Sequence, residues 1–574
     1  MNILKKILII SLIAYYPINA VAQSAPITID GNIADWDYWG SDLTLFNDTV
    51  DDTVSGVEIK NIQVANDESS LFIRLKTNIE FGLHDNLSQH DICLYLDTDN
   101  DENTGFSVSS GFGAELKINF RESYAVYYGE SNDSISLSQI SLTSAPKEIT
   151  NQYEIAISRS AVINDIHSLF TSSNIKLLFI NDDNNNQTPN LQYTFSEVPF
   201  VATDVVKKNS NHIRILAYNV KLDGLIKWRL PFFEAIVPFI NADIIGFSEC
   251  HETTPEYVKE FLDAWSPLET PNGWYVTKHS DGDLITASHW PIIQSWDHLS
   301  RQYPALIDLP ESYHTDLLFI NAHLTPYTGN ENIRQDEADQ FIEFILDAKT
   351  EGGLVTLPKN TPFVYAGDLN IVGSGQPLQT ILTGNIQNTA QYGSGGSPDW
   401  DNTDITDIEP RQTDLNAHYT WRNDKKEYDP GKLDFMICSD ALINIEKSFV
   451  LQTEEMPAER LLLYGLEREN TGKASDHFPV VSDFSINAYT GIAQNQISKH
   501  TAYPNPFTSK INITFSKAGS YLVVLTDLNG TMIYSEEIVS VQSTIDTEKL
   551  SPGVYFITII DAIGNKEIHK LIKI

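Results

Sequence analysis

The sequence predicts a multidomain protein in which a central α/β domain lies between an N-terminal β-sandwich and a small C-terminal β-sandwich. The chain has 574 residues, which is too long for a single hydrophobic core. Residues 27–200 and 501–574 contain short alternating apolar and polar runs separated by Asn, Asp, Ser and Gly, a pattern that indicates antiparallel strands. Residues 211–486 alternate strand-like runs with helical periodicity, which indicates a layered α/β domain.

Residues 1–22 have the features of a secretory signal peptide. Two lysines precede an apolar run at residues 7–16, and Ala-Val-Ala at positions 20–22 supplies a small-residue cleavage signal. The run is too short to span a membrane, and no later segment approaches that length, so no transmembrane segment is predicted. We therefore expect a secreted protein that passes through the periplasm and acts outside the cell or on its surface.

The chain is strongly acidic, with 77 Asp and Glu residues against 38 Lys and Arg and a formal charge of −39. This balance disfavours a passive nucleic-acid-binding surface, which needs a basic face. It allows an enzyme that meets phosphate groups through a bound cation. The three cysteines, Cys93, Cys250 and Cys438, are too few for a disulfide framework and lie in apolar runs, which indicates buried thiols.

Residues 27–200 open with Ile-Asp-Gly-x-x-x-Asp-Trp at positions 29–36, and a later predicted strand reads Tyr-Glu-Ile-Ala-Ile-Ser-Arg-Ser at positions 153–160. These motifs resemble secreted β-sandwich modules of the family-9 carbohydrate-binding type. The resemblance implies that this part of the chain is a β-sandwich with a glycan as its partner.

One loop of this region carries alternating acidic side chains at Asp97, Asp99 and Asp101, with a glycine at position 105. Alternate oxygen side chains near a glycine suit a Ca²⁺ loop. The alternative interpretation is a polar hairpin turn, since Asp, Asn and Gly are also the residues that turns use. No helical pattern precedes the loop, which excludes an EF-hand.

Six strand-like runs between residues 214 and 484 each end in a carboxylate, an amide or a histidine. These residues are Asn219, Glu249, His323, Asp368 with Asn370, Asp434, and Asp476 with His477. A hard cation such as Mg²⁺ needs oxygen ligands that converge from rigid supports, and Glu249, Asp476 and Asn219 can supply them. Histidines can exchange protons near neutral pH. The set therefore predicts metal-assisted hydrolysis of a phosphate ester, although each residue alone is more common as a cap, a turn or a solvated side chain.

Gly-Asp368-Leu-Asn370 and Ser-Asp476-His477 are the most specific marks of a resemblance to the endonuclease/exonuclease/phosphatase superfamily. The resemblance covers about residues 211–486 and implies a four-layered α/β sandwich. It implies that Glu249, with Asn219 and Asp476 nearby, binds Mg²⁺ or Mn²⁺, with Ca²⁺ as an alternative. It also implies that Asp434 orients His477 as the base, and that the Asp368–Asn370 pair positions water and phosphate.

His323 is similar to the active-site histidine of the pancreatic deoxyribonuclease and sphingomyelinase branches of that superfamily. Lys221 stands where the abasic-site endonucleases carry an acid, and Lys432 stands where many members have arginine. We therefore expect a secreted nuclease that hydrolyses extracellular nucleic acid. The alternatives are a phosphatase or sphingomyelinase-like lipid phosphodiesterase, and a non-enzymatic surface-binding protein.

The C-terminal 74 residues follow a polar linker predicted at residues 487–500. They begin with Tyr-Pro-Asn-Pro-Phe at positions 503–507 and later contain Asp-Leu-Asn-Gly at 527–530 and Ser-Pro-Gly-Val-Tyr-Phe-Ile at 551–557. These motifs resemble the sorting domain of the type IX secretion system of the Bacteroidota, which implies the secretion machinery as a partner. An ordinary adhesion β-domain is the alternative.

Overall fold

The computed structural model describes residues 27–49, 55–85, 88, 90–129, 132–426, 428–486, 501–504, 506–527, 532–561 and 566–574. The predicted signal peptide and the predicted linker at residues 487–500 lie outside these residues. The chain divides into two compact units, residues 1–488 and residues 489–574.

The N-terminal part of the first unit consists mainly of strands. A short helix, α1 (Ala34–Trp39), precedes them. The strands are β1 (Thr44–Asn47), β2 (Ile59–Asn66), β3 (Ser70–Phe81), β4 (Ile92–Asp97), β5 (Phe106–Ser109), β6 (Phe112–Ala114), β7 (Leu116–Asn119), β8 (Tyr124–Tyr128), β9 (Asn132–Ile135), β10 (Thr143–Ala145), β11 (Thr150–Ser158), β12 (Val162–Ile163), β13 (His167–Ser168), β14 (Asn174–Asn181), β15 (Asn186–Gln187) and β16 (Leu191–Thr194).

Two larger sheets and two short hairpins arise from these strands. One sheet has the order β1-β2-β3-β11-β10, and the other has the order β15-β14-β4-β7-β8-β9 with β16 also paired to β14. The hairpins are β5-β6 and β12-β13. Buried side chains of both sheets, including Ile73, Leu94 and Tyr153, belong to one hydrophobic cluster. Burial of this apolar surface is the main favourable term for the region.

The central part of the first unit alternates strands and helices. Its strands are β17 (Ile213–Asn219), β18 (Ile244–Ser248), β19 (Tyr275–Lys278), β20 (Ile285–Ser288), β21 (Ile292–Ser295), β22 (Gln302–Ile307), β23 (Leu317–His323), β24 (Phe363–Asp368), β25 (Thr406–Asp407), β26 (Asp434–Cys438), β27 (Ile443–Val450) and β28 (Val480–Ile486). Its helices are α2 (Leu230–Ile240), α3 (Pro255–Trp265), α4 (Glu331–Ala348), α5 (Gln376–Thr383), α6 (Thr389–Tyr392), α7 (Ala458–Tyr464) and α8 (Asn470–Ala474).

These strands form two six-stranded sheets, with the orders β19-β20-β18-β17-β28-β27 and β21-β22-β23-β24-β26-β25. The inner pairs β17–β18 and β23–β24 are parallel. Buried residues of both sheets form one cluster that includes Ile215 and Ile244 from the first and Phe319 and Val364 from the second. The two sheets therefore pack on each other through their inner faces.

Helices cover other faces of the two sheets. Phe233 of α2 and Leu262 of α3 share a cluster with Phe247 of the first sheet. Phe341 of α4 lies with its ring centroid 4.3 Å from that of Tyr365 in the second sheet. Parallel strands in such mixed sheets are buried on both faces, which explains why β17, β18, β23 and β24 are buried along their whole length.

The N-terminal and central parts are joined by continuous packing. Ile29, Trp36 and Phe72 belong to the same buried cluster as the two central sheets. Ile29 also pairs with Ala417 through an isolated β-bridge. The N-terminal and central parts therefore share a buried interface within the first unit.

Local signals explain where the predicted central helices begin and end. Helix α2 begins at Leu230, and the proline in its first turn is compatible with helix initiation. Helix α3 begins after Thr254, whose side chain accepts a hydrogen bond from the Tyr257 amide. The segment 454–473 contains helix α7 and most of α8.

The second unit contains one antiparallel sheet. Its strands are β29 (Thr501–Tyr503), β30 (Lys510–Asp527), β31 (Met532–Asp546), β32 (Gly553–Asp561) and β33 (Lys566–Lys573). The order is β29-β30-β32-β33, with β31 also paired to β30. Its buried cluster includes Phe507, Tyr521 and Ile557. Among the residues with described structure, every helix falls short of the length and apolar character that a bilayer span requires.

Candidate active site

Polar residues at the ends of the inner strands of both central sheets meet in one place. Asn219 ends β17, and its amide Nδ2 donates to Glu249 Oε1 at 2.9 Å and to Asp368 Oδ2 at 3.0 Å. Asp368 ends β24 and stands between His323 on β23 and Asp434 on β26 in the strand register. The strand ends therefore bring residues distant in sequence into direct contact.

Glu249 is held from both of its ends. Its backbone amide donates to Asp283 Oδ1 at 2.8 Å, and its Oε2 accepts from the Leu222 amide at 2.7 Å. Glu249 has a φ of 60°, and the run Lys221–Asp223 is also left-handed. Non-glycine residues in that region store strain that surrounding structure must hold, and such strain clusters at functional sites.

His323 is clamped between two carboxylates. Its Nδ1 lies 2.6 Å from Asp283 Oδ2, and its Nε2 lies 3.6 Å from Asp368 Oδ2. Burial alone would lower the pKa of His323, but the hydrogen bond with Asp283 and the charge of Asp368 raise it above its ordinary value. Arg301 Nη2 lies 3.4 Å from Asp283 Oδ2 and supports that carboxylate.

His477 has a matching arrangement on the other side of Asp368. Its Nδ1 lies 2.8 Å from Asp434 Oδ2, and its Nε2 lies 3.7 Å from Asp368 Oδ2. Burial opposes the charged imidazole, but the charges of Asp434 and Asp368 raise the pKa of His477 to about 10. Burial and the nearby Asp434 charge raise the pKa of Asp368 to about 6, against the opposing effect of the histidines. The amide of Asp434 donates to Thr420 Oγ1 at 2.8 Å.

Asn370 lies beside this group with its amide turned toward the backbone. Its Nδ2 donates to the Leu324 carbonyl at 3.2 Å, and its backbone amide donates to Asp368 Oδ1 at 3.2 Å. Its φ of 50° places it in the left-handed region, which asparagine tolerates better than most residues. Asn370 therefore fixes the direction of the Asp368 carboxylate.

Asp476, predicted as a metal ligand with Asn219 and Glu249, has a cationic neighbour. Lys221 Nζ lies 2.5 Å from Asp476 Oδ2, and Asn423 Nδ2 donates to the same oxygen at 3.2 Å. Burial opposes ionisation, but His477 and Lys221 lower the pKa of Asp476 below its ordinary value. Lys221 also joins the two parts of the predicted ligand set, because its backbone amide donates to Asn219 Oδ1 at 2.9 Å.

The donor chemistry of the site suits a hard divalent cation. Its carboxylates are Glu249, Asp283, Asp368, Asp434 and Asp476. One ligand atom from each of Asp368, Asp434 and His477 lies within 4.8 Å of the others. Buried carboxylates that outnumber nearby cations are costly, and the raised pKa of Asp368 shows that cost. Oxygen-rich donor sets of this kind fit Mg²⁺ or Mn²⁺.

Asp283 belongs to this group of side chains but is not among the residues predicted from the sequence. It contacts both His323 and the amide of Glu249, so it links the two sides of the site. A usable signal was present, since Asp283 precedes the buried strand β20 by two residues within Asp-Gly-Asp-Leu-Ile. Lys432 forms an ion pair with Asp407 at 2.6 Å.

The predicted calcium loop lies in the N-terminal part of the chain. One carboxylate oxygen each of Asp97, Asp99 and Glu115 lie within 4.8 Å of one another. The side chain of Asp101 instead accepts from the amide and the side chain of Asn103. Two of the three residues named from the sequence therefore come together, and Glu115 joins them.

Comparison with solved structures gives remote similarities over about half of the chain. Truncated TDP2 from Caenorhabditis elegans is 14% identical, with a TM-score of 0.31, over 48% of this chain and 97% of that chain. Beta toxin from Staphylococcus aureus is 14% identical, with a TM-score of 0.32, over 47% of this chain and 99% of that chain. No curated protein matches by sequence.

The C-terminal unit has a specific family match. Residues 501–574 match the family described as the secretion system C-terminal sorting domain. The prediction of a sorting domain from the motifs of this segment is confirmed. These residues therefore belong to the secretion-system C-terminal sorting domain family, which indicates export by type IX secretion to the cell surface or the extracellular space.

Proposed function

We propose that residues 211–486 form a divalent-metal-dependent phosphodiesterase with a four-layered α/β fold, and that its substrate is extracellular nucleic acid. One observation carries the proposal. The Nε2 atoms of His323 and His477 lie 3.6 Å and 3.7 Å from the same oxygen of Asp368. Each imidazole is held from behind by its own carboxylate, Asp283 or Asp434.

This arrangement suits acid–base chemistry on a phosphate ester. The carboxylate behind each Nδ1 fixes the ring and leaves Nε2 to exchange a proton with a reacting group. One imidazole can take the proton of an attacking water while the other donates to the phosphate or the leaving oxygen. Asp368, held by the amides of Asn219 and Asn370, lies between them and can orient the water.

Glu249 and Asn219 are the residues that would hold the cation. Asp476, which forms an ion pair with Lys221, would supply a further carboxylate. A bound divalent ion supplies charge neutralisation at the phosphate oxygens. The strained backbone at Lys221–Asp223 directs the Leu222 amide at Glu249 and so keeps that carboxylate in place. The two histidines would then carry out the proton transfers.

A lipid phosphodiester is the second candidate substrate, and one observation favours it. Leu222, whose amide contacts Glu249, is 57% exposed, and Trp228 of the same loop is 74% exposed. Exposed large apolar side chains beside a cleft can rest on a lipid surface. The neighbouring Phe233, in contrast, is completely buried in the core of this part of the chain.

We further infer that residues 27–200 form a β-sandwich with a glycan as its ligand, after removal of the signal peptide at residues 1–22. The two sheets that share one core support the sandwich. Binding of the secreted protein to an array of glycans tests the ligand, and no binding to any glycan would reject it.

The catalytic proposal is tested with purified full-length protein on a panel of plasmid DNA, RNA, sphingomyelin and phosphomonoesters. We expect Mg²⁺- or Mn²⁺-dependent cleavage of DNA or RNA that EDTA abolishes and that His477→Ala removes. His314→Ala is the matched control, because His314 is exposed and lies outside the site. Release of phosphocholine without nicking of plasmid DNA would show that the substrate is a lipid rather than nucleic acid. No cleavage of any phosphate ester would reject the proposal that the protein is an enzyme.

A further inference from the structure

We propose that Asp97, Asp99 and Glu115 form a Ca²⁺ site in the N-terminal part of the chain, remote in sequence from the catalytic residues. Asp97 ends β4, Asp99 lies in the following loop, and Glu115 lies between β6 and β7. Their carboxylate oxygens approach one another within 4.8 Å. Calcium–oxygen distances of about 2.3–2.6 Å allow ligand oxygens on opposite sides of one ion to be about 5 Å apart. The spacing of the three groups therefore matches one shared cation.

Asp97 is the observation that separates this group from an ordinary acidic loop. The residue is 0% exposed, and its Oδ1 has no hydrogen-bond partner among the described residues. Its other oxygen accepts from Lys176 Nζ at 2.9 Å. A buried carboxylate oxygen without a partner is costly. A cation held jointly with Asp99 and Glu115 would satisfy it.

The hydroxyl of Thr104 lies near more acceptor oxygens than it can donate to. Its Oγ1 lies 2.9 Å from Asp99 Oδ2, 3.1 Å from Glu115 Oε1 and 2.9 Å from the Asp101 carbonyl oxygen. A threonine hydroxyl has one proton and can donate to one acceptor only. The remaining close oxygens have no proton between them. A positive ion among these oxygens removes the repulsion.

The charge balance points the same way. Lys176 is the basic residue seen to contact the group, and it pairs with Asp97 alone. The Glu115 carboxylate accepts from the Thr98 amide at 2.7 Å but has no basic partner among the described residues. Three acidic groups with one ammonium leave a net negative pocket.

Calcium fits this pocket better than magnesium. The candidate donors are carboxylate, hydroxyl and carbonyl oxygens from a loop and two strand ends, an irregular set without octahedral symmetry. Ca²⁺ accepts six to eight such oxygens in flexible geometry, whereas Mg²⁺ demands near-ideal octahedral geometry and keeps its waters. Extracellular modules bind Ca²⁺ with dissociation constants of about 10⁻⁴–10⁻³ M, a range that suits an exported protein.

Hydrogen exchange of the full-length, EDTA-treated protein with and without CaCl₂ tests the site. We expect Ca²⁺ to slow exchange in peptides covering residues 97–115, and Glu115→Gln or Asp99→Asn to weaken that effect by about tenfold or more in Ca²⁺ concentration. Asp101→Asn is the matched control, because its side chain contacts Asn103 rather than the pocket. Asp99 is partly exposed in a loop, so its substitution carries little risk of unfolding.

The outcomes are distinct. Protection of residues 97–115 that persists in Glu249→Gln separates this site from the catalytic one, and Glu115→Gln should leave phosphodiester cleavage unchanged. Equal protection in wild type, Glu115→Gln and Asp99→Asn would overturn the proposal, as would no protection at millimolar CaCl₂. A loss of protection confined to Asp101→Asn would place the ion in the loop alone, and this result would also overturn the proposal.

Discussion

The ammonium of Lys221 lies 2.5 Å from Oδ2 of Asp476. This ion pair neutralises a carboxylate that stands one residue before His477. The lysine side chain is 38% exposed, so its attraction to Asp476 is partly screened by solvent. Its position means that a bound cation and Lys221 compete for the same negative charge.

We therefore expect Lys221→Met to bind Mg²⁺ several-fold more tightly than wild type, because removal of one positive charge favours a second one nearby. Calorimetric titration of the EDTA-treated protein measures this without substrate. Lys473→Met is the control, since Lys473 lies on α8 and pairs with Glu469. Weaker Mg²⁺ binding in Lys221→Met would show that the lysine supports the ion rather than opposing it.

Much of the site could be predicted because it lies at strand ends. Residues that end adjacent inner strands meet at one edge of a sheet, so His323, Asp368 and Asp434 are register neighbours. A polar residue after a buried run is visible in sequence. The ends of such runs therefore predicted most residues of the candidate site.

The remaining contacts depend on loop geometry that local spacing does not encode. Asp283 reaches His323 across 40 positions, and Lys221 reaches Asp476 across 255. Glu115 joins Asp97 and Asp99 because β7 pairs with β4, which is a tertiary fact. Spacing within one segment could identify none of these pairings, even where, as at Asp283, it could have identified a candidate residue.

Asp283→Asn should reduce phosphodiester cleavage by about 10²–10⁴-fold, because it removes the carboxylate that sets the His323 tautomer. Asp283 acts through His323, so it is a positioning residue. Its loss should also lower the pKa of His323, and the corresponding limb of the pH–rate profile should move to lower pH. Asp281→Asn is the control, since Asp281 pairs with His279 and asparagine keeps an oxygen that can accept from the Asp283 amide. A pH–rate profile that does not shift in Asp283→Asn would mean that Asp283 has only a structural role.

Asp429 should be essential to the junction between the N-terminal strands and the central part. It accepts from the Ser144 amide at 2.7 Å and from Lys147 Nζ at 2.7 Å, and all three residues are largely buried. Asp429→Ala leaves a buried ammonium without its partner, which costs about 3–5 kcal/mol. Urea unfolding measures this loss. Glu469→Ala, which breaks an exposed pair with Lys473, should cost less than about 1 kcal/mol.

His84 should make the same junction sensitive to acid. Its Nδ1 lies 3.1 Å from Ser123 Oγ, its Nε2 lies 3.2 Å from Ser144 Oγ, and Asp429 Oδ1 is 3.5 Å away. Burial and the charge of Lys147 lower the pKa of His84, against the opposing charge of Asp429. The unfolded chain therefore binds a proton at higher pH than the folded one.

The sign of the effect follows from that difference. The contribution of a neutral, buried His84 is fully present above the unfolded pKa of about 6.5 and is lost as pH falls toward the folded value. The free energy of unfolding of wild type should therefore fall more steeply between pH 7 and pH 5 than that of His84→Gln. His323 and His477 have raised pKa values and act in the opposite direction in both proteins, so the difference between the two isolates His84. Parallel pH profiles of unfolding would mean that His84 accepts its proton without strain on the junction.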